Sequence, residues 1–346
     1  MSGTQETTGE FDGAALGRLA RWLAGHGMPG SGHPRLEKFP GGQSNPTYRM
    51  EWGDEFLVLR RKPFGQLLPK AHMIEREYRV LGALSATGVP VARVRGMCED
   101  PSVLGVSFYV MDFVQGRIFW DPRLPDLDPA GRRGIFDAMN KTVAQLHAVD
   151  PAAVGLETFG RADGFMARQI GLWTSQYRAS ATREIPAMNA LIDWLPRNIP
   201  GVAVSGSIFH GDLRLDNMIF HPTEPRILAL LDWELATLGN PIADFAYHIM
   251  IWRVPPDLFR GLKGVDLSAL GIPTEKEYVD DYCRRTGLDA QHDMKFYSAF
   301  SLFRLAAILQ GIAKRAADGN ASAADAVSLG ARAAPLAEIG WDMVNA

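Results

Sequence analysis

The chain has 346 residues, of which 47% are hydrophobic, so it is long enough for two lobes of roughly 150 residues, each with a buried core. Its formal net charge is −3 and its basic residues are dispersed, so the sequence lacks the clusters of Lys and Arg that are typical of nucleic-acid-binding proteins. The two cysteines, Cys98 and Cys283, lie far apart and outside any CxxC pattern, which argues against a disulfide framework or a zinc site and favours a reducing compartment.

The N-terminal region begins with a polar stretch, and residues 1–13 are predicted to be a disordered tail. This stretch lacks the basic and apolar regions of a secretory signal, and no run reaches the ~18 apolar residues that a membrane span needs. We therefore expect a cytoplasmic protein with no membrane partner and no nucleic-acid partner. A first helix follows, because Leu16, Leu19 and Leu23 recur at helical spacing before the glycines of 25–32.

Short strand-like runs, with one helix among them, dominate the first hundred residues. The pairs Gly41–Gly42 and Gly53–Asp54 are typical of hairpin turns between such runs. The predicted strands are Arg35–Phe39, Thr47–Trp52, Glu55–Arg60, Val91–Met97 and Val106–Phe113, and the predicted helix runs from about Ala71 to Ala86.

The pattern becomes mainly helical after Gly116. Asp128 and Pro129 supply an N-cap and a proline at the first helical position, and apolar residues follow at 3-4-3 spacing from Phe136. Later segments are also helical, including the Ala-rich stretch 316–333, apart from a short strand at 226–231. We therefore predict an α+β protein with a strand-rich N-terminal lobe, residues 1–115, and a mainly helical C-terminal lobe, residues 116–346.

The strongest chemical signal is the segment HGDLRLDN at 210–217, which is followed by an apolar strand ending in Asp232. Phosphoryl transfer needs positioning and charge neutralisation more than covalent help. Asp212 could orient an acceptor hydroxyl, while the oxygens of Asn217 and Asp232 are ligands that Mg²⁺ prefers. Each of these residues alone would more often be a turn or cap residue. All three in this order favour the functional interpretation.

A second signal lies in the N-terminal lobe. The glycines of FPGGQSN, residues 39–45, let a loop between strands bring backbone N–H groups close to phosphate oxygens, although alone this segment is equally typical of a plain turn. Arg60 ends a strand and could reach a phosphate if a carboxylate steadied it. On the helix at 71–86, steps of ~100° per residue place Glu77 on the apolar face and Glu75 away from it. A buried pair of Arg60 and Glu77 is therefore predicted, since an unpaired buried carboxylate is costly.

Together these motifs resemble the aminoglycoside-phosphotransferase and choline-kinase family, whose members are relatives of the protein kinases. The resemblance implies a two-lobed, protein-kinase-like fold, ATP as co-substrate, Mg²⁺ as cofactor and a small-molecule hydroxyl as acceptor. It implies Asp212 as catalytic base, Asn217 and Asp232 as Mg²⁺ ligands, and His210 and Asp244 as structural support for the catalytic loop. The nucleotide-binding residues that it implies are Gly41, Gly42, Gln43, Ser44, Asn45, Arg60, Glu77, and the hinge positions Asp112 and Val114.

Three departures from protein kinases disfavour a protein substrate. Gly211 stands where an HRD loop has Arg, the triplet DWE at 232–234 replaces DFG, and no APE triplet follows. Arg60 stands where protein kinases have Lys, which a guanidinium's affinity for phosphate makes tolerable.

A closer resemblance runs through GGQSNPTYRME, VLRRKPFGQLLPKAHMIEREYRVL and FHGDLRLDNMIF. These segments are similar to the kinase-like domain fused to, or encoded beside, acyl-CoA dehydrogenases. This resemblance implies a hydroxyacyl-CoA acceptor and an acyl-CoA dehydrogenase pathway partner. The alternatives are an aminoglycoside or choline-type acceptor, or a non-catalytic nucleotide-binding module. The near-balance of twelve acidic and eleven basic residues over 246–346 weakens the aminoglycoside alternative.

The segment 166–178 could contribute to such an acceptor site. Arg168, Trp173, Tyr177 and Arg178 could hold the phosphate and adenine of coenzyme A. An amphipathic helix with its aromatic side in the core is the favoured alternative for Trp173.

Overall fold

A computed structural model describes residues 10–40, 45–65, 72–201, 206–318 and 326–345. The chain divides into two compact units. Unit 1 comprises the described part of Met1–Gly116 together with Leu228–Glu234, and unit 2 comprises the described parts of Arg117–Ile227 and Leu235–Ala346. The single boundary predicted at 115/116 assigned the segment Leu228–Glu234 to the C-terminal lobe. In the structure this segment belongs to unit 1.

The main body of unit 1 is a five-stranded antiparallel sheet with strand order β1-β2-β3-β5-β4. Its strands are β1 (Arg35–Lys38), β2 (Thr47–Trp52), β3 (Glu55–Arg61), β4 (Val94–Cys98) and β5 (Phe108–Asp112), and its helices are α1 (Gly13–Gly25), α2 (Ile74–Leu84) and α3 (Pro101–Leu104). Every strand predicted for this region is present. The helix predicted at 71–86 is α2, which begins at Ile74 and ends at Leu84.

Alternation along β2 separates the core of unit 1 from the face that carries polar residues. Tyr48 and Met50 are buried in the core against α1, whose Leu19 and Leu23 are fully buried. The intervening residues point to the opposite face, since successive side chains of a strand alternate. Thr47 lies on that face and pairs in register with Arg60 of β3.

The N-terminal tail is shorter than predicted. Residues 1–9 lie outside the described residues, but the rest of the segment 1–13 is ordered, which corrects that part of the prediction. Asp12 caps α1 by accepting a hydrogen bond of 2.7 Å from Ala15 N–H, and Phe11 is buried. The Glu10 carboxylate pairs with the buried Arg61 guanidinium and accepts a hydrogen bond from Tyr48. Burying Phe11 and pairing Glu10 with a buried charge order this segment.

Unit 2 is mainly helical. Its helices are α4 (Pro129–His147), α5 (Phe165–Ser180), α6 (Pro186–Trp194), α7 (Pro241–Ile249), α8 (Pro256–Phe259), α9 (Leu267–Leu270), α10 (Glu275–Thr286), α11 (Met294–Ala317), α12 (Ala326–Ala331) and α13 (Ala333–Asn345). The remaining strands are the short β6 (Ser207–Phe209), β7 (Met218–Phe220), β8 (Ile227–Leu230) and β9 (Thr237–Gly239), of which β6 pairs antiparallel with β9.

The predicted start of α4 is present: Asp128 accepts a hydrogen bond of 2.7 Å from Gly131 N–H, and Pro129 is the first helical residue. The Ala-rich stretch 316–333 is not one continuous helix in its described part. Helix α11 ends at Ala317, and α12 begins at Ala326, with residues 319–325 outside the described residues.

Within the described residues, α11 alone is long and apolar enough to cross a membrane. Because 78% of its most apolar window is buried inside the structure, its composition is that expected of a core helix, and it is weak evidence for a span.

Candidate active site

The predicted pair of Arg60 and Glu77 forms inside unit 1. Arg60 Nε lies 2.7 Å from Glu77 Oε2, and both side chains are largely buried. Asn45 Nδ2 donates to Glu77 Oε1 at 2.9 Å, and Tyr109 donates its hydroxyl to Oε2 at 3.2 Å. Helix α2 therefore presents Glu77 inward, as its position on the apolar face predicted, and Arg60, Asn45 and Tyr109 hold its carboxylate in place.

Three carboxylates surround the Arg60 guanidinium. Besides Glu77, Asp232 Oδ1 lies 3.7 Å and Glu234 Oε2 3.8 Å from Arg60 Nη2. Burial lowers the pKa of Arg60, but these negative charges and Tyr109 outweigh it and raise the pKa, so the guanidinium remains charged. Burial raises the pKa of the Glu77 carboxyl, Glu234 acts in the same direction, and Arg60 opposes both. With all three carboxylates ionised, one positive charge leaves the cluster at −2 (1 − 3).

Asp232 differs from the other members of this cluster in its backbone conformation. Asp232 follows β8 with a positive φ of 65°, a left-handed conformation that is uncommon outside glycine and is found at functional sites. Its side chain is 37% exposed, so the carboxylate is open to solvent. An accessible carboxylate in a cluster with excess negative charge has the chemistry of a Mg²⁺ ligand.

Two other predicted nucleotide contacts belong to unit 1. Gly41, Gly42, Gln43 and Ser44 lie outside the described residues, whereas Asn45 is buried and bonded to Glu77. At the predicted hinge, the Asp112 N–H donates to Arg93 O at 2.9 Å, and its carboxylate pairs with Arg95. Val114 follows two residues after β5 ends.

In unit 2, the buried Asp244 of α7 holds the backbone of the loop that carries Asp212. Asp244 Oδ2 accepts from His210 N–H at 2.6 Å, and its Oδ1 accepts from Gly211 N–H at 3.0 Å. His147 Nε2 lies 3.3 Å from Oδ2. Burial raises the pKa of Asp244, but these hydrogen bonds and the histidines outweigh it, so the pKa is lowered and Asp244 remains ionised.

The conformation of this loop requires glycine at 211. Its φ is +89°, and an added Cβ would lie 2.9 Å from Leu235 Cβ and 3.2 Å from Leu235 O. The Asp212 N–H donates to His210 Nδ1 at 3.1 Å, so that ring nitrogen is unprotonated. Arg304 Nη2 donates to Gly211 O at 2.5 Å. His210 and Asp244 thus occupy the bracing positions predicted for them.

The Asp212 carboxylate is fixed by its neighbours. Asn217 Nδ2 donates to Asp212 Oδ2 at 2.8 Å and to Asp212 O at 2.9 Å. Because the Asn217 amide nitrogen faces Asp212, its carbonyl oxygen points away from that residue, as a metal ligand's oxygen would need. Arg214 Nε lies 3.2 Å from Asp212 Oδ1.

Tyr247 of α7 also contacts the Asp212 carboxylate. Burial raises the pKa of its hydroxyl, and the neighbouring Asp212 charge and hydrogen bond raise it further, so Tyr247 remains protonated and donates to Asp212. The arrangement surrounds the Asp212 carboxylate with a hydroxyl donor, an amide and a guanidinium.

Tyr109, Glu234, Tyr247 and Arg304 are among the residues of this site that sequence reasoning missed. The pairing of Arg60 with Tyr109 across β3 and β5 could have suggested the first, and the spacing Asp232-x-Glu234 the second. No local pattern marks Tyr247 or Arg304, because only tertiary packing brings α7 and α11 to the loop.

The aromatic residues proposed for coenzyme A belong to the core. Trp173 and Tyr177 of α5 are buried, and Arg168 donates to backbone carbonyls of residues 161 and 163. The core alternative is correct for both aromatic side chains.

Comparisons with known proteins agree with this chemistry. The description of the matching family, at residues 35–297, is "phosphotransferase enzyme family". The chain belongs to this family. A crystal structure of a candidate aminoglycoside phosphotransferase from Ralstonia eutropha JMP134 is 49% identical, with a TM-score of 0.88 over 97% of this chain and 98% of that one.

Two further similarities are limited, one by the share of the relative that the chain covers and the other by low sequence identity. Mouse (Mus musculus) acyl-CoA dehydrogenase family member 10 is 46% identical over 94% of this chain, which spans only 31% of that protein. An aminoglycoside phosphotransferase, APH(4)-Ia, solved with ADP and hygromycin B, is 15% identical with a TM-score of 0.58 over 93% of this chain and 98% of that one, which shows the fold alone. The predicted family, the kinase-like fold and the class of small-molecule kinase with a hydroxyl acceptor are confirmed.

Proposed function

We propose that this phosphotransferase moves the γ-phosphate of ATP to a hydroxyl of a small molecule, with Asp212 as the general base. The observation that carries this assignment is the Asp212 carboxylate, which its neighbours hold in place. Its loop backbone is held by Asp244, and its oxygens meet Asn217, Arg214 and Tyr247. Such a carboxylate can accept the acceptor's proton as the hydroxyl oxygen attacks phosphorus.

The remaining residues bind and orient the nucleotide. Arg60, steadied by Glu77, contacts nucleotide phosphates, and Asn45 keeps the Glu77 carboxylate in place. Asn217 and Asp232 are the proposed Mg²⁺ ligands. The ion, when bound, neutralises the charge that develops on the transferred phosphoryl group. ATP is the proposed donor because the structurally similar APH(4)-Ia was solved with ADP.

A hydroxyacyl-CoA is the acceptor that we propose first. The supporting observation is the similarity to mouse acyl-CoA dehydrogenase family member 10, together with the near-balance of charge in the C-terminal hundred residues. An aminoglycoside is the second candidate, supported by the name of the Ralstonia eutropha relative. An acyl-CoA dehydrogenase as pathway partner and a cytoplasmic location complete the proposal.

A substrate panel tests the reaction. The purified chain is given Mg-ATP with hydroxyacyl-CoAs, aminoglycosides or choline, and ADP release is followed. Asp212→Ala should lower turnover by at least ~10²-fold, while stabilisation by Mg-ATP in a melting experiment persists. Asp193→Asn, an exposed carboxylate on α6, is the matched control. Unchanged turnover in Asp212→Ala discards the assigned base, and the absence of any Mg-ATP binding discards the kinase assignment.

The metal ligands have a test that does not need turnover. Asn217→Ala and Asp232→Ala should each raise the Mg²⁺ concentration needed for half-maximal stabilisation by ATP by at least ~10-fold. An unchanged Mg²⁺ requirement in either variant removes that residue from the ligand set.

A further inference from the structure

A cavity in unit 2 opens next to the residues that fix Asp212. Its walls include Trp120, Arg214, Asp216, Tyr247 and Arg260. Arg214 and Tyr247 both contact the Asp212 carboxylate, so the cavity begins one side chain away from the proposed base. An acceptor in this cavity is within reach of the group that takes its proton.

Two guanidinium groups and one carboxylate line the cavity, and the Asp212 carboxylate lies beside one of these guanidinium groups, that of Arg214. Arg214 Nη2 and Arg260 Nη1 both approach Asp216 Oδ2, at 3.3 Å and 3.4 Å. The Arg260 side chain is 54% exposed, so most of its donors face solvent.

Arg260 is held in an unusual position. Its φ is +47°, a left-handed conformation that is uncommon for residues other than glycine. Its guanidinium lies 4.8 Å from the ring centroid of Trp120, which is 59% exposed. A strained backbone and an exposed tryptophan are both costly in a free surface, and both are common where a ligand binds.

We infer that this cavity receives the acceptor, and that Arg260, stacked on Trp120, binds an anionic group of that acceptor, either a phosphate or a carboxylate. The inference rests on the proposed phosphotransfer and narrows its acceptor to an anionic hydroxyl compound. A planar guanidinium with open donors is suited to phosphate and carboxylate oxygens.

The kinetic test uses one hydroxyacyl chain in three forms: its coenzyme A thioester, its neutral pantetheine thioester and the free hydroxy acid. Arg260→Ala should raise the KM of the anionic form that is recognised by at least ~10-fold and leave the pantetheine thioester unchanged. Arg260→Lys should restore part of the loss. The control is Arg226→Ala, which removes an exposed arginine that pairs with Glu224 and should leave the KM of all three forms unchanged.

The coenzyme A thioester and the free acid distinguish the two sources of negative charge, phosphate and carboxylate. An equal change of KM for charged and neutral acceptors, or no change for any, overturns the inference while leaving phosphotransfer intact.

If no acceptor is turned over, a binding test decides whether the cavity binds an anion through Arg260. Coenzyme A and the free hydroxy acid are titrated by calorimetry into wild type and Arg260→Ala, with Mg-ADP saturating the nucleotide site. At least ~10-fold weaker binding of one ligand to the variant supports the cavity as an anion site, even where the absence of turnover discards the phosphotransfer proposal. Equal affinities, or no binding to wild type, overturn it.

Discussion

Each unit buries a carboxylate beside a proposed functional residue, but the two carboxylates have different partners. In unit 1, Glu77 pairs with a cation, Arg60, and shares it with Asp232 and Glu234. In unit 2, Asp244 accepts hydrogen bonds from two backbone N–H groups and lies beside His147. Burial raises the pKa of Glu77, whereas the donors around Asp244 lower its pKa despite complete burial.

The difference reflects what each carboxylate has to hold. A side-chain cation can move to meet a ligand, and the Glu77 pair leaves Arg60 oriented for a phosphate. Backbone N–H groups cannot move without the chain, so Asp244 fixes a loop conformation and with it the position of Asp212. The comparison therefore predicts that damage in unit 1 weakens nucleotide binding and that damage in unit 2 slows the chemical step.

The largest effect is expected for Asp244→Asn. The amide keeps one oxygen but presents an NH₂ group in place of the other, where a backbone N–H now donates, which displaces the 210–212 backbone. A shift of this kind at a catalytic group should lower kcat by about 10²-fold, with the Kd of ATP changed by less than ~3-fold. Steady-state kinetics and equilibrium nucleotide binding measure the two quantities. Asp137→Asn, an exposed carboxylate on α4, is the control. A loss in ATP affinity as large as the loss in kcat contradicts the comparison.

A pH experiment on unit 2 sharpens the comparison between the two units. Burial lowers the pKa of His248 from 6.5 to about 4, although the hydrogen bond of its ring to Leu213 O opposes this shift. Between these pH values the unfolded chain binds a proton that the native state does not, so stability falls as the pH drops. Asp244 contributes at lower pH, because its pKa is below 3.8.

His248→Gln should therefore lose less stability than wild type between pH 7 and pH 5, by about 2 kcal/mol, in denaturant unfolding at each pH. The exposed His292→Gln is the control. Parallel pH profiles of His248→Gln and wild type contradict the assignment of a neutral buried ring.

A smaller effect is expected for Glu77→Gln in unit 1. Removing its charge loosens Arg60 and should weaken ATP binding by about 10-fold, with kcat at saturating ATP nearly unchanged. Glu75→Gln is the control: Glu75 lies two residues before Glu77 on α2 and pairs with Lys62 instead of Arg60, so this change should leave both parameters unchanged. If kcat falls while the Kd of ATP is preserved, Glu77 has the role that the comparison gives to Asp244.

The smallest effect is expected for Tyr247→Phe. Loss of one hydrogen bond to Asp212 should lower kcat by about 3- to 10-fold and shift the acidic limb of its pH profile upward, because the carboxylate becomes easier to protonate. The buried Tyr297→Phe is the control. A pH profile identical to that of wild type contradicts the contact's role.

Local patterns were sufficient for much of unit 1. Strand alternation and the inward angle of Glu77 follow from periods of two and 3.6 residues, which depend only on the chain itself. The turn at Gly53–Asp54 follows from its residue types. The same holds for the start of α4 at Asp128, since a cap is made by residues three apart. The N-terminal tail was misjudged because Glu10 and Phe11 are ordered by Arg61 and Tyr48, which lie far along the sequence.

By itself, the sequence determined the order of elements, the family and the spacing of Asp212 and Asn217 on one loop. The resemblance also implied Asp244 as support for that loop. Tertiary structure alone decided that Tyr247 and Arg304 contact it, because no local pattern marks either residue for such a role. It also decided that Arg260 meets Trp120, 140 positions earlier in the chain (260 − 120). Contacts of this kind depend on how elements pack, and packing is set by the whole core rather than by the residues that use it.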